Sequence, residues 1–296
     1  MTTLPDIDPP AADPHRPGRP LPPGSCDAHA HIFGPAGRYP YQPGRDYTPH
    51  DASRQDYARL LHTLGMSRAV LVQPSVYGTD NRLLADALAQ SAGDPLGIAW
   101  RGVAVLDETV PQDELERLHG LGVRGARLNL LNRGGGIGFD NVARLADRLA
   151  PLGWHLQFLV DISTFEDFAG RLARLPVTTV VDHMGHFPAG LGPHCPAFRS
   201  LLALMREGRT WVKVSGPNRI SSHPQAPFPD AEALARALAA HMPDRLVFGT
   251  DWPHVRLPTP MPDDGDLVDE FLRWIDHDED LMRRILVENP ARLYGF

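Results

Sequence analysis

Eight short apolar runs punctuate the chain: SCDAHAHIF (25–33), RAVLVQPS (68–75), IAWRGVAVL (98–106), VRGARLNL (123–130), WHLQFLV (154–160), TTVVDH (178–183), TWVKVSG (210–216) and DRLVFGTD (244–251). Each is rich in Val, Ile, Leu and aromatic residues and is bounded by Gly, Pro, Asp or Ser. The runs are nearly continuous instead of alternating, as expected when both faces of a parallel strand are covered. Between them, segments such as SRQDYARLLHTLG, PQDELERLHGLG and DAEALARALAAHM repeat their apolar positions every three or four residues and predict amphipathic helices. Several open on Ser, Thr or Asp and close on Gly, the residues that satisfy the free ends of a helix. Two further helices are expected in the C-terminal stretch DEFLRWIDHDEDLMRRILVENPARLYGF. Eight strands alternating with helices predict an α/β fold, a (β/α)8 barrel of the TIM type. A doubly wound open sheet has the same alternation, but no Gly-x-Gly-x-x-Gly follows the first run, so the dinucleotide fingerprint is missing.

Composition adds boundaries. Residues 1–24, MTTLPDIDPPAADPHRPGRPLPPG, are rich in Pro, Asp and Ala and lack the apolar stretch of a secretory signal. They predict a flexible, Pro-rich arm over the domain surface, with residues 25–296 forming a single barrel domain. A net charge of −7 argues against a nucleic-acid partner. No apolar run is long enough to span a membrane. The two cysteines, Cys26 and Cys195, make no disulfide framework and point to a reducing, cytoplasmic setting. The expected partner is a small molecule, and a homo-oligomer is compatible with the chain.

In a barrel of this kind chemistry gathers at the C-terminal ends of the strands. There the sequence offers His29 and His31 on the first strand, Gln73 and Ser75 on the second, and Arg127 and Asn129 on the fourth, with Arg133 just beyond. The sixth strand ends in Asp182 and His183, followed by His186; the seventh carries Lys213 and Ser215, with Arg219 in its loop; the eighth ends in Asp251, followed by His254. Each has a bland alternative: Arg127 as a structural ion pair, Lys213 and Asp182 as each other's partners, Ser75 as a helix cap. Convergence of His29, His31, His183 and Asp251 on one mouth is what singles out a site.

These motifs resemble the amidohydrolase superfamily, with His-x-His after strand one, a later His and an Asp ending strand eight. DAHAHIFGP, GVRGARLNLLNR, VVDHMGH, WVKVSGPNRIS and LVFGTDWPH are similar to the branch containing 2-pyrone-4,6-dicarboxylate lactonase. The resemblance implies a hydrolase that opens a carboxylated, polyanionic lactone such as 2-pyrone-4,6-dicarboxylate or a muconolactone, in aromatic-compound degradation. It implies Asp251 as the base that activates water, and His29, His31 and His183 as the groups that polarise the carbonyl. Tyr47, Ser75, Arg127, Arg133 and Arg219 fall where that lactonase holds its substrate, and His186 and His254 complete the candidate binding set. Guanidinium groups suit this independently, because they grip carboxylates as bidentate forks.

Two positions depart from the branch: His186 stands where it has Arg, and HLQFLV supplies Gln157 and Leu159 where it has Tyr. Arg127 cannot ligate a metal, so a two-metal centre is not expected. The resemblance implies metal-free chemistry. The alternative is one divalent ion, zinc or manganese, held by His29, His31 and Asp251 with His183. Competing functions are a metal-dependent decarboxylase of an aromatic or muconate acid and a sugar-acid lactonase or isomerase.

Overall fold

The computed structural model describes residues 7–91, 93–131, 137–257 and 260–296. Its strands are β1 Cys26–Ala30, β2 Arg68–Val72, β3 Ala99–Ala104, β4 Val123–Asn129, β5 His155–Leu159, β6 Thr179–Val181, β7 Thr210–Val214 and β8 Leu246–Phe248. Each lies within one of the eight apolar runs. They pair in parallel in chain order, β1 through β8, which makes the (β/α)8 barrel expected from the alternation. The helices are α1 Arg54–Leu64, α2 Arg82–Ala89, α3 Gln112–Leu121, α4 Val142–Leu149, α5 Phe168–Ala173 and α6 Pro196–Arg206. They continue with α7 Pro217–Ile220, α8 Pro229–His241, α9 Asp264–Trp274, α10 Glu279–Arg283 and α11 Asn289–Tyr294.

Local chemistry sets these elements. In α1, Ser53 Oγ accepts from Asp56 N at 3.2 Å while Asp56 Oδ2 accepts from Ser53 N at 2.9 Å, a reciprocal cap of a kind worth about 1 kcal/mol. Gly65, at φ 77, ends the same helix in the left-handed conformation that costs glycine nothing. Tyr57, Leu61 and Leu64 on its inner face are buried in the layer between strands and helices. A second apolar cluster fills the lower interior: Cys26, Ala28, Val70, Val103, Val180, Trp211, Val247 and Tyr294. The C-terminal residues close that end, with Arg101 Nε donating to Tyr294 O at 3.1 Å and the Arg101 guanidinium over the Phe296 ring at 4.9 Å.

The barrel closes in an unusual way at β1 and β8. With three residues, β8 is short, and the contact is made just beyond it. Asp251 N donates to His29 O and His31 N to Trp252 O, both at 2.8 Å. Below them the buried Asp27 carboxylate stands in for ladder partners. It accepts from Thr250 N at 3.0 Å, from Thr250 Oγ1 at 2.6 Å and from His29 N at 3.0 Å. Gly249 makes room for this approach, since a Cβ there would lie 2.6 Å from His29 Cβ and 2.8 Å from His29 N.

The described part of the arm, residues 7–24, contains no helix or strand. It is tied to α9: Gly18 N donates to Asp269 Oδ1 at 2.9 Å and His15 Nδ1 lies 3.1 Å from Asp263 Oδ1. Among the described residues no helix is long and apolar enough to cross a membrane.

Candidate active site

The first, sixth and eighth strands deliver their polar residues to one point through tight backbone. His183 (φ 50), His186 (φ 47) and Asp251 (φ 70) all sit in the left-handed region, which costs a non-glycine residue about 1–2 kcal/mol. Three strained residues at one mouth mark a place where side-chain aim outranks backbone comfort.

At the floor, Asp251 Oδ1 faces His29 Nε2 at 3.6 Å, His31 Nε2 at 3.7 Å and His183 Nε2 at 3.9 Å. This oxygen has no hydrogen-bond partner, whereas Oδ2 accepts from Arg219 Nε. Arg219 is held in turn by Val255 O, 3.0 Å from its Nη2. The two rings of the His-x-His pair meet edge to face, with His29 Nε2 3.3 Å from His31 Nε2. His31 Nδ1 reaches Val72 O at 2.7 Å, and His183 Nδ1 reaches Ser215 Oγ at 2.9 Å.

Burial governs the charges here. It pulls His29 down to about 4 and His31 and His183 well below the usual imidazole value, so all three are neutral at pH 7. For Asp251 burial works against ionisation, but the Arg219 guanidinium and the His183, His29 and His31 rings together outweigh it and hold the carboxyl well below the usual range. An ionised carboxylate thus stands among three neutral imidazoles.

A second polar layer lies beneath. Asp182 Oδ2 accepts from Arg127 Nε at 3.1 Å and from Gln157 Nε2 at 3.0 Å. Lys213 Nζ, fully buried, donates to Gln157 Oε1 and Ala28 O, each at 2.8 Å, and lies 3.2 Å from His29 Nδ1. Lys213 and Asp182 are 3.7 Å apart inside the barrel, the pairing that the sequence left open against outward-pointing alternatives. Arg127 pairs with Asp182 and also lines the cleft.

Above the floor opens a cleft, about 410 Å³ when the open solvent at its mouth is included. His31, Tyr47, Ser75, Arg127, His183, His186, Arg219 and Asp251, all anticipated from sequence, line it. His29 sits just below, buried against Asp251. Burial pushes the Tyr47 hydroxyl, close to the Ser75 side chain, up to about 12. His186 is lowered by burial and by Arg219. His254 is not among the lining residues; at φ 59 its ring turns back and Nε2 meets Asp264 Oδ1 at 2.9 Å, both groups buried. Arg133 lies outside the described residues. Arg256, also in the wall and 3.7 Å from Asp46, escaped the sequence reading. Its signal was a basic residue in the loop after GTDWPH, where no periodicity marks direction.

Two donor groups among the described residues are able to hold a metal ion: His29, His31 and Asp251, and His29, Asp182 and His183. In the first, separations of 3.3, 3.6 and 3.7 Å are close to the roughly 3.4 Å edges of a tetrahedron with bonds of about 2.0–2.1 Å. These three donors fit one ion; His183 belongs to the second group, though its Nε2 lies 3.9 Å from Asp251 Oδ1.

The chain is similar in sequence over almost its whole length to two hydrolases. A 2-pyrone-4,6-dicarbaxylate hydrolase of Comamonas testosteroni is 40% identical, covering 96% of this chain and 94% of that protein. A 4-sulfomuconolactone hydrolase of Hydrogenophaga intermedia is 37% identical, covering 93% and 90%. A crystal structure from Acinetobacter baumannii, described as a probable 2-pyrone-4,6-dicarboxylic acid hydrolase with citric acid bound, superposes with a TM-score of 0.80. It is 26% identical and covers 92% of this chain and 100% of that one. The amidohydrolase family profile matches residues 26–296, from the first residue of β1 to the C-terminal seal, and the chain belongs to that family.

Proposed function

We propose that this protein is a lactonase that hydrolyses a small lactone carrying more than one acidic group, such as 2-pyrone-4,6-dicarboxylate or a muconolactone. The observation that carries the reading is the unpartnered Oδ1 of ionised Asp251, facing three neutral imidazoles under a wall of Arg127, Arg219 and Arg256. The names of the two hydrolase relatives, whose substrates are anionic lactones, support it.

In this reading the arginines take the substrate's acidic groups and set the lactone carbonyl over the imidazoles. Water between the carbonyl carbon and Asp251 Oδ1 forms the new C–O bond as its proton passes to Asp251. The carbonyl oxygen becomes an oxyanion, stabilised by N–H donors and the nearby guanidinium of Arg127 in a water-poor site. Collapse breaks the ring C–O bond, and the proton on Asp251 goes to the departing ring oxygen. The products are a hydroxyl and a carboxylic acid, which releases its proton to solvent and becomes a carboxylate.

An ion in the His29, His31 and Asp251 set would add Lewis-acid polarisation and a more acidic water. The base and the oxyanion donors are nevertheless all protein groups, and a metal-free course is the one adopted. The test is a panel of pyrone dicarboxylates, muconolactones and aldonolactones, followed by loss of ring absorbance and acid release, on protein assayed for zinc and manganese before and after chelation. The highest kcat/KM is expected on a dianionic lactone, unaffected by chelator. Release of CO₂, or preference for an uncharged sugar lactone, would replace the reading.

A further inference from the structure

We propose that Lys213 fixes the tautomer of His29, so that His29 turns an N–H toward His31 Nε2 in place of a bare nitrogen, and that Asp182 holds the opposite tautomer in reserve.

The argument comes from both sides of the His29 ring. On the cleft side, Val72 O only accepts, so the 2.7 Å bond to His31 Nδ1 puts the His31 proton on Nδ1 and leaves Nε2 bare. The 3.3 Å contact between His29 Nε2 and His31 Nε2 then needs its proton from His29. On the lower side, two Lys213 protons go to Ala28 O and Gln157 Oε1 at 2.8 Å. The third points to His29 Nδ1 at 3.2 Å, which accepts only if it is bare. Both neighbours therefore select the same form of a neutral ring, proton on Nε2 and lone pair on Nδ1. Gln157 is locked into this chain, because Lys213 demands its oxygen and Asp182 takes its amide nitrogen.

Asp182 supplies the alternative. Its Oδ2 is engaged twice, while its buried Oδ1 lies 3.3 Å from His29 Nδ1 and has no hydrogen bond. If Lys213 were to release Nδ1, a proton there would find Oδ1 waiting and Nε2 would become a ligand-type nitrogen. Lys213 is thus a positioning residue that decides whether His29 offers a hydrogen-bond donor or a metal ligand. Any catalytic meaning of that hydrogen bond, through His31, which does line the cleft, rests on the lactonase reading; the tautomer does not.

The experiment uses the full chain, ¹⁵N-labelled at histidine and stripped with chelator, in long-range ¹H–¹⁵N correlation spectra, with His29 assigned by its loss in H29Q. The expected wild-type pattern is a protonated Nε2 and an unprotonated Nδ1; the reverse overturns the proposal even if K213M does not fold. In K213M the Nδ1-protonated form facing Asp182 Oδ1 should become populated beside the Nε2 form, and zinc affinity measured by calorimetry should rise about tenfold, the scale on which groups behind metal ligands act. An unchanged tautomer and zinc affinity in folded K213M would remove Lys213 from the role. Neither readout involves a lactone, so failure here and failure of the substrate assignment are told apart.

Discussion

Replacing Asp251 with Asn changes one atom and removes both the charge and the proton acceptor from the floor of the cleft. General-base catalysis contributes about 10²–10⁴ in rate, and the acceptor lost is the oxygen that faces all three imidazoles. A loss of about 10³ in kcat is expected, equivalent to a barrier about 4 kcal/mol higher. Stability should change much less. Arg219 loses its carboxylate, but its side chain is 15% exposed and keeps its bond to Val255 O. A partly hydrated guanidinium escapes most of the penalty of an orphaned buried charge. The assay is loss of ring absorbance on the best lactone of the panel, beside a thermal melt that establishes folding. A folded D251N variant with kcat within tenfold of wild type would refute Asp251 as the base.

Three more outcomes are expected. Folding stability should fall as pH drops from 6.5 toward 4. The buried His29 and His155 titrate at about 4 and about 3 against about 6.5 when unfolded. Their folded pKa values are depressed, so their contribution is complete above pH 6.5 and lost on acidification, about 2 kcal/mol for each by pH 5; a denaturation midpoint flat between pH 7 and 5 would contradict this. In T250V the Asp27 carboxylate loses the 2.6 Å hydroxyl and Trp252 N its 3.1 Å acceptor. A cost of about 2–3 kcal/mol, a Tm lower by about 4–6 °C, is expected in scanning calorimetry, with T250S restoring it. In R256M, kcat/KM for a dianionic lactone should drop about tenfold with little change for an uncharged one, and equal losses on both would place Arg256 outside the acid-binding wall.

The barrel was legible because parallel strands covered on both faces leave dense apolar runs, eight of them here, and the missing dinucleotide fingerprint argued against an open sheet. The same density hid direction. In TWVKVSG and TTVVDH nothing marks which side chains face the axis, so Lys213 and Asp182 stayed undecided until register aligned them with His29. His29, His31, His183 and Asp251 were readable because each ends a strand, where the fold itself dictates convergence. His254 was not, since a left-handed turn three residues past Asp251 rotates its ring to Asp264. Arg256 lies in a loop, where no period of two or 3.6 carries information.

The closure between β1 and β8 bears on how the protein acquires activity. The imidazoles at one end of the chain and the carboxylate at the other meet through hydrogen bonds that exist only once the ring of strands is complete. Such contacts join residues up to 223 positions apart and form late when loop entropy must first be overcome. During refolding, helical structure should therefore return ahead of turnover, and catalysis itself becomes a clock for the final turn of the barrel. Amide exchange at Thr250 and Asp251 should likewise report the openings that switch the enzyme off while most of the fold stays intact.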